Sequence, residues 1–167
     1  ALANFGDERS IQGLIDVSTL IEFDFEASYR EMARGFLKEL SAQAIPILID
    51  IIKDDTRVAQ HNSAARLLGE FGVNGVRALV DVAKLDKENE TKYANRVESL
   101  LFQLVAEHAI TALIDTYRAM APDDPGRKRV LTKILAQRPK DAISLFKEVA
   151  ADAKVGEIER AMAVDAY

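Results

Sequence analysis

The chain has 167 residues and no cysteine, which excludes a disulfide framework, cysteine-held zinc or iron–sulfur centres and a thiol nucleophile. Hydrophobic residues make up 49% and charged residues 29%, the balance of a globular domain rather than a disordered or fibrous chain. A formal net charge of −5 argues against a dedicated nucleic-acid binder, and no apolar run approaches the roughly 18 residues of a membrane span. No signal-peptide pattern opens the chain, so a cytoplasmic location is the expectation.

In chain order the sequence repeats itself. The segments Ile11–Asp16, Ile45–Asp50, Val76–Asp81, Ile110–Asp115 and Ile143–Glu148 each place a β-branched residue first, Leu or Phe three later, and Asp or Glu five later. Successive segments start 31 to 34 residues apart. The first unit continues through Ile21–Glu26, read as a turn with Phe23 or Phe25 tucked into the core, to a second apolar stretch at Ala33 and Phe36-Leu37. In the second unit Pro46 falls near the start of its helix, where proline is tolerated. Asp54-Asp55-Thr56 closes that helix, with Thr56 as the expected cap of the next. Ala64 and Leu67-Leu68 then form the second stripe, and Gly72 and Gly75 suit a helix C-terminus. The third unit carries the turn Asp86–Thr91 before Val97 and Leu100-Leu101. The fourth offers Asp124 as N-cap and Pro125 at the first helical position, ahead of Leu131 and Ile134-Leu135. Pro139 opens the fifth. Offsets of three and four put the apolar side chains of each stretch on one helical stripe, so each unit reads as two amphipathic helices joined by a polar turn. One such pair cannot bury its stripe alone, and stacked neighbours complete the core. The expected units within a single domain, 1–167, are 7–40, 41–72, 73–105, 106–138 and 139–167.

Leu2–Ile15, Ala64–Gly72, Val76–Asp81 and Ala44–Ile49 together resemble HEAT-like repeats, in the short bacterial variety found in phycobilin-lyase subunits. A glycine-bounded helix end leads into a "val-pro-x-leu-ile" helix start, and Ala44-Ile-Pro-Ile-Leu-Ile49 keeps even the proline. The resemblance spans nearly the whole chain and is sharpest over 1–20 and 44–82, whereas units three and four lack the glycine-bounded end. It implies an all-α fold, a right-handed α-α superhelix (HEAT-like solenoid) of about five two-helix repeats, with the second helices lining a concave surface. Such repeats serve many purposes, so they specify fold rather than function. Ala1–Phe5 reads as the end of a second-type helix and Glu157–Tyr167 as the interior of another, with Ile158, Met162 and Val164 incompletely covered. The expectation is a segment of a longer array, or an end that associates with a second copy or a different partner.

No motif points to catalysis: phosphate-binding glycine loops, a nucleophile elbow and H-E-x-x-H are all missing from the sequence. An enzyme is therefore unsupported, and no cofactor or metal is expected. The HEAT-like enzymes that hold iron through repeated His-Glu pairs are matched only by a single reversed Glu107-His108, and both His61 and His108 read as surface residues. The carboxylate pairs Asp54-Asp55 and Asp123-Asp124 lie in turns, where Asp caps and solvates. The recurring Asp16, Asp50, Asp81, Asp115 and Glu148 form a column whose expected role is structural, bonding the turn backbone or a neighbouring base.

Three columns of the second helices stay polar in every unit: Glu31, Asn62, Asn95 and Arg129; Gly35, Arg66, Ser99 and Lys133; Glu39, Glu70, Gln103 and Gln137. The stretch from Gly126 to Lys140 holds six basic residues and no acid. The expected function is a non-enzymatic protein-interaction scaffold or adaptor, its partner bound through Asn62, Arg66, Asn95, Ser99, Gln103, Arg129, Lys133 and Gln137 on the concave face. Two alternatives stand beside it. One is a phycobilin-lyase-like subunit using Arg127, Arg129 or Lys133 for tetrapyrrole propionates. The other, disfavoured by the acidic balance, is a nucleic-acid-binding HEAT-like module.

Overall fold

A computed structural model describes residues 7–19, 27–82, 95–97, 99–101, 103, 110–121, 124, 130, 139–153 and 155–165. Among them every regular element is helical and no strand occurs, so the chain is an all-α protein. The elements are α1 (Glu8–Thr19), α2 (Ala27–Glu39), α3 (Ser41–Lys53), a 3-10 turn (Asp55–Gln60), α4 (His61–Glu70) and α5 (Val73–Val82). Helical positions follow at 95–97, 99–101 and 103, then α6 (Ile110–Ala119), a second 3-10 turn (Pro139–Ala142), α7 (Ile143–Ala151) and α8 (Glu157–Asp165). The turn segments Ile21–Glu26 and Asp86–Thr91, Pro125, Leu131 and the Ile134-Leu135 pair lie outside the described residues.

Local chemistry sets the helix ends. Asp7 Oδ1 accepts the Ser10 N–H at 2.7 Å, satisfying a donor that the first turn of α1 would otherwise leave orphaned. The backbone bond from Ser10 also holds the Asp7 carboxyl below the ordinary aspartate value. Only Leu40 separates α2 from α3, so the chain redirects within one residue. Because α3 begins at Ser41, Pro46 lies a turn deeper than its motif suggested. Pro46 and Ala42 are both exposed, so the Ala42 carbonyl that loses its i+4 N–H partner lies on the solvated side.

The cap between α3 and the 3-10 turn is Asp54, not Thr56. Asp54 Oδ1 accepts both the Thr56 N–H at 2.8 Å and the Thr56 hydroxyl at 2.7 Å. Those two bonds, the hydroxyl's first, pull the Asp54 carboxyl below its ordinary value. After α4 the chain turns through Gly72 at φ +67°, a left-handed conformation that costs glycine nothing. Gly75, expected at the same junction, instead sits inside α5 where that helix crosses α4. A Cβ there would land on the Leu68 carbonyl oxygen and 2.8 Å from its carbonyl carbon.

Packing follows the repeat. α1 packs on α2, α3 on α4 and α7 on α8, while contacts also run between pairs, α1 to α3, α3 to α5, α5 to α6, and α4 to α5. One continuous core results. It takes Ile11 and Ile15 from α1, Leu48, Ile51 and Ile52 from α3, Leu67 and Leu68 from α4, Leu79 and Val80 from α5, Leu113 and Tyr117 from α6, and Phe146 from α7. The third residue after each motif start is fully buried in α3, α5, α6 and α7, as Leu48, Leu79, Leu113 and Phe146. Its equivalent in α1, Leu14, is only half-buried.

Candidate functional site

The polar columns of the second helices lie at offsets of four, so each helix carries its three members as one strip. On α2 the strip is Glu31, Gly35 and Glu39, all exposed. On α4 Asn62 and Glu70 are exposed and Arg66 is half-buried; in the next helical stretch Asn95 and Ser99 are exposed and Gln103 is half-buried. Between these positions Ala64, Leu67 and Leu68, and then Val97, Leu100 and Leu101, are buried. Arg129, Lys133 and Gln137, with the basic stretch around them, lie outside the described residues.

Charge joins the first two strips. Arg34 of α2 lies 3.1 Å from Glu31 on its own helix and 3.9 Å from Glu70 on α4. The Nε atoms of Arg34 and Arg66 are buried with no hydrogen-bond partner. Partial desolvation raises the Glu70 carboxyl, whose side chain is still 39% exposed, above its ordinary value, against the opposing pull of Arg34 and Arg66. Above Gly35 there is open space, so the α2 strip has a notch at its middle. Chemically the strip can donate from Asn62, Asn95, Ser99 and Arg66 and accept at Glu31, Glu39 and Glu70. Sequence reading missed Arg34. Its counterpart in α4 is the buried Ala65, and a long cation following the small buried Ala33 was the available signal.

Four members of the acidic column on the first helices, Asp16, Asp81, Asp115 and Glu148, are engaged by bases. Asp16 lies 3.6 Å from Arg57 and accepts from Gln12 at 2.9 Å. Asp81 pairs with Arg77 at 3.9 Å and Asp115 with Arg118 at 3.7 Å. Arg118 also donates to both carboxylate oxygens of Glu148, from Nε at 3.0 Å and Nη2 at 2.7 Å, which ties α6 to α7. That bidentate bond raises the Arg118 value further. A similar fork links the second and third pairs: Arg96 donates to the Ile52 carbonyl and to Asp55 Oδ1, each at 2.6 Å.

His61 corrects the surface reading, being only 5% exposed. Its Nε2 donates to the Asp54 carbonyl at 2.9 Å, so the ring closes the turn between α3 and α4. His108 lies outside the described residues. Among the described residues no group of three His, Cys, Asp or Glu side chains could hold a metal ion, and no helix is long and apolar enough to cross a membrane. Compared with known proteins, the chain matches no family model, no curated protein and no solved structure.

Proposed function

We propose that this all-α chain is a HEAT-like right-handed α-α superhelix of about five helix pairs, and that it works as a non-enzymatic scaffold holding another protein along its concave face. The contacts of α1 with α3, α3 with α5 and α5 with α6 support the stacking, because first helices meet first helices at these three steps. The single observation that carries the function is the accessible polar strip of the second helices. Asn62, Arg66, Asn95, Ser99 and Gln103 all reach solvent, while Ala64, Ala65, Val97, Leu100 and Leu101 between them are buried. Arg129, Lys133 and Gln137 extend this surface by sequence spacing. A specific protein interface takes about 800 Å² per partner, and one side of three or four adjacent helices offers that.

The test is comparative capture from native lysate with immobilised chain. Arg66→Glu combined with Ser99→Arg reverses the charge and bulk of the strip, whereas Gln43→Lys alters an exposed position on the first helix α3. The reading expects a nuclease-resistant protein partner retained by wild type and Gln43→Lys and lost by the strip variant, with helicity unchanged. Equal capture by all three would overturn it.

A further inference from the structure

Arg34, Arg57, Arg77 and Arg96 are half-buried, and each has a carboxylate within 4 Å. Arg66, at the middle of the α4 strip, is half-buried too. Among the described residues it forms no ion pair, and its Nε is buried with no hydrogen-bond partner. Glu70, one turn further along α4, feels the charge of Arg66, but the arginine it approaches to 3.9 Å is Arg34. A guanidinium held partly out of water with no anion against it is an unfavourable arrangement, and an incoming anion relieves it.

The surroundings of Arg66 leave room for that anion. Its column neighbours are Gly35 on α2 and Ser99 in the third pair, both small and exposed. Nothing lies within 4 Å of a Cβ placed on Gly35. With Nε turned inward, the solvent-facing edge of the guanidinium is its pair of Nη groups, which can grip a carboxylate through two parallel bonds. Asn62, Asn95 and Ser99, all exposed, supply neutral donors on the same strip. The other charges limit how much anion the strip accepts. Glu31 and Glu39 are exposed on α2, and Glu70 follows on α4, so a row of phosphates or acids would be repelled where a single carboxylate is not. Arg160 of α8 also has a buried, unpartnered Nε, but its neighbours at offsets of four are Gly156 and Val164, so no polar strip surrounds it.

We infer that the protein partner engages the strip through one aspartate or glutamate side chain seated on Arg66, carried by a peptide segment that is otherwise neutral or basic. This rests on the reading of the second helices as the binding face and adds what that face recognises. Arg66 is the anchor because it is the strip's one half-buried cation with no ion pair to break first.

A displayed library of random short peptides, selected on the immobilised chain, tests it. Peptides recovered on wild type are expected to share one Asp or Glu position. In the synthetic peptide, changing that residue to Asn or Gln should weaken binding about tenfold or more, read by fluorescence anisotropy. Selection on Arg66→Glu should recover Lys or Arg at the same position, and selection on Arg66→Gln should recover no charge preference there. A residue that merely holds α4 in place would weaken all peptides alike and would not invert the preference. Circular dichroism checks that both variants are folded; where one is not, the Glu-to-Gln comparison on wild type decides alone. Peptides that are lost on Arg66→Glu with Ser99→Arg yet show no acidic requirement would overturn this inference and leave the binding face standing. Peptides held equally by that combined variant would overturn the binding face itself. A basic consensus on wild type would also overturn the inference, shifting the anchor to Glu31 and Glu39.

Discussion

Gly75→Ala is the sharpest test of how α4 and α5 meet. Gly75 is buried in the first turn of α5, and an added Cβ would overlap the Leu68 carbonyl oxygen and lie 2.8 and 3.0 Å from its carbonyl carbon and Cα. These are backbone atoms of a packed helix, so no side-chain rotation relieves the overlap and α5 must move as a body. Overpacking of this sort costs about 1–3 kcal/mol, and a backbone obstacle places the cost at the upper end. Alanine returns about 1 kcal/mol of helix propensity over glycine. The net loss is about 2 kcal/mol, which for a chain of this length lowers Tm by roughly 4–8 °C.

Gly35→Ala supplies the opposite sign from the same chemistry. Gly35 is exposed in the middle of α2 with nothing within 4 Å of an added Cβ. There only propensity acts, and a gain of about 0.5–1 kcal/mol is expected. Thermal unfolding followed by circular dichroism reads both variants. If Gly75→Ala melts at or above wild type while Gly35→Ala gains nothing, the close crossing of α4 and α5 is wrong.

Three further outcomes are expected. Leu68→Ala removes a fully buried side chain at the centre of the core and should cost about 2–5 kcal/mol, whereas Asn62→Ala on the exposed strip should change stability by less than about 0.5 kcal/mol, both measured by urea unfolding. Arg96→Lys keeps the charge but loses the planar fork that reaches Ile52 and Asp55 together, so a loss of about 1–2 kcal/mol is expected in the same assay. The Asp54 carboxyl titrates below its ordinary value because Thr56 donates to it. Between the folded and ordinary values the unfolded chain therefore binds more protons, so this group's contribution to stability is complete above the ordinary value and is lost as pH falls through the folded one. Asp54→Asn should lower Tm at pH 7, with the gap to wild type closing as the pH is taken below the ordinary aspartate range.

The helices of the first three pairs were legible because one physical requirement, burial of a stripe at offsets of three and four, repeats with steady spacing. Leu48, Leu79, Leu113 and Phe146 occupy matching places in the sequence and are all buried. What escaped the sequence were contacts that depend on how one element lies against another. Thr56 and Asp54 are both good capping residues, and only the course of the chain, extended at Asp54 (φ −80°, ψ 111°), decides for Asp54. His61 reads as a surface residue until the same turn brings the Asp54 carbonyl to its ring. Gly75 looks like a helix end because glycine serves both ends and close crossings, and sequence does not say which. The polar strip was named from its columns, but the tie from Arg34 to Glu70 needs the spacing of α2 and α4, which no pattern within one helix records.

The two polar surfaces of the helix series differ in what their charges are already doing. On the first helices the carboxylates Asp16, Asp81, Asp115 and Glu148 each have an arginine within 4 Å, and the Arg118–Glu148 pair crosses from α6 to α7. Both side chains of that pair remain about half-exposed, so water screens it and its worth to stability is at most about 1 kcal/mol. Its main effect is to fix the register of neighbouring helices. On the second helices Asn62, Asn95 and Ser99 are neutral and exposed, and they carry donors and acceptors without the desolvation cost of a charge. A partner docking on Asn62, Asn95 and Ser99 gives up less hydration than one that must first separate arginine from carboxylate, as on the first helices or at Arg34 and Glu70. This difference in cost, rather than the amount of polar surface, favours the proposed placement of the binding face on the second helices.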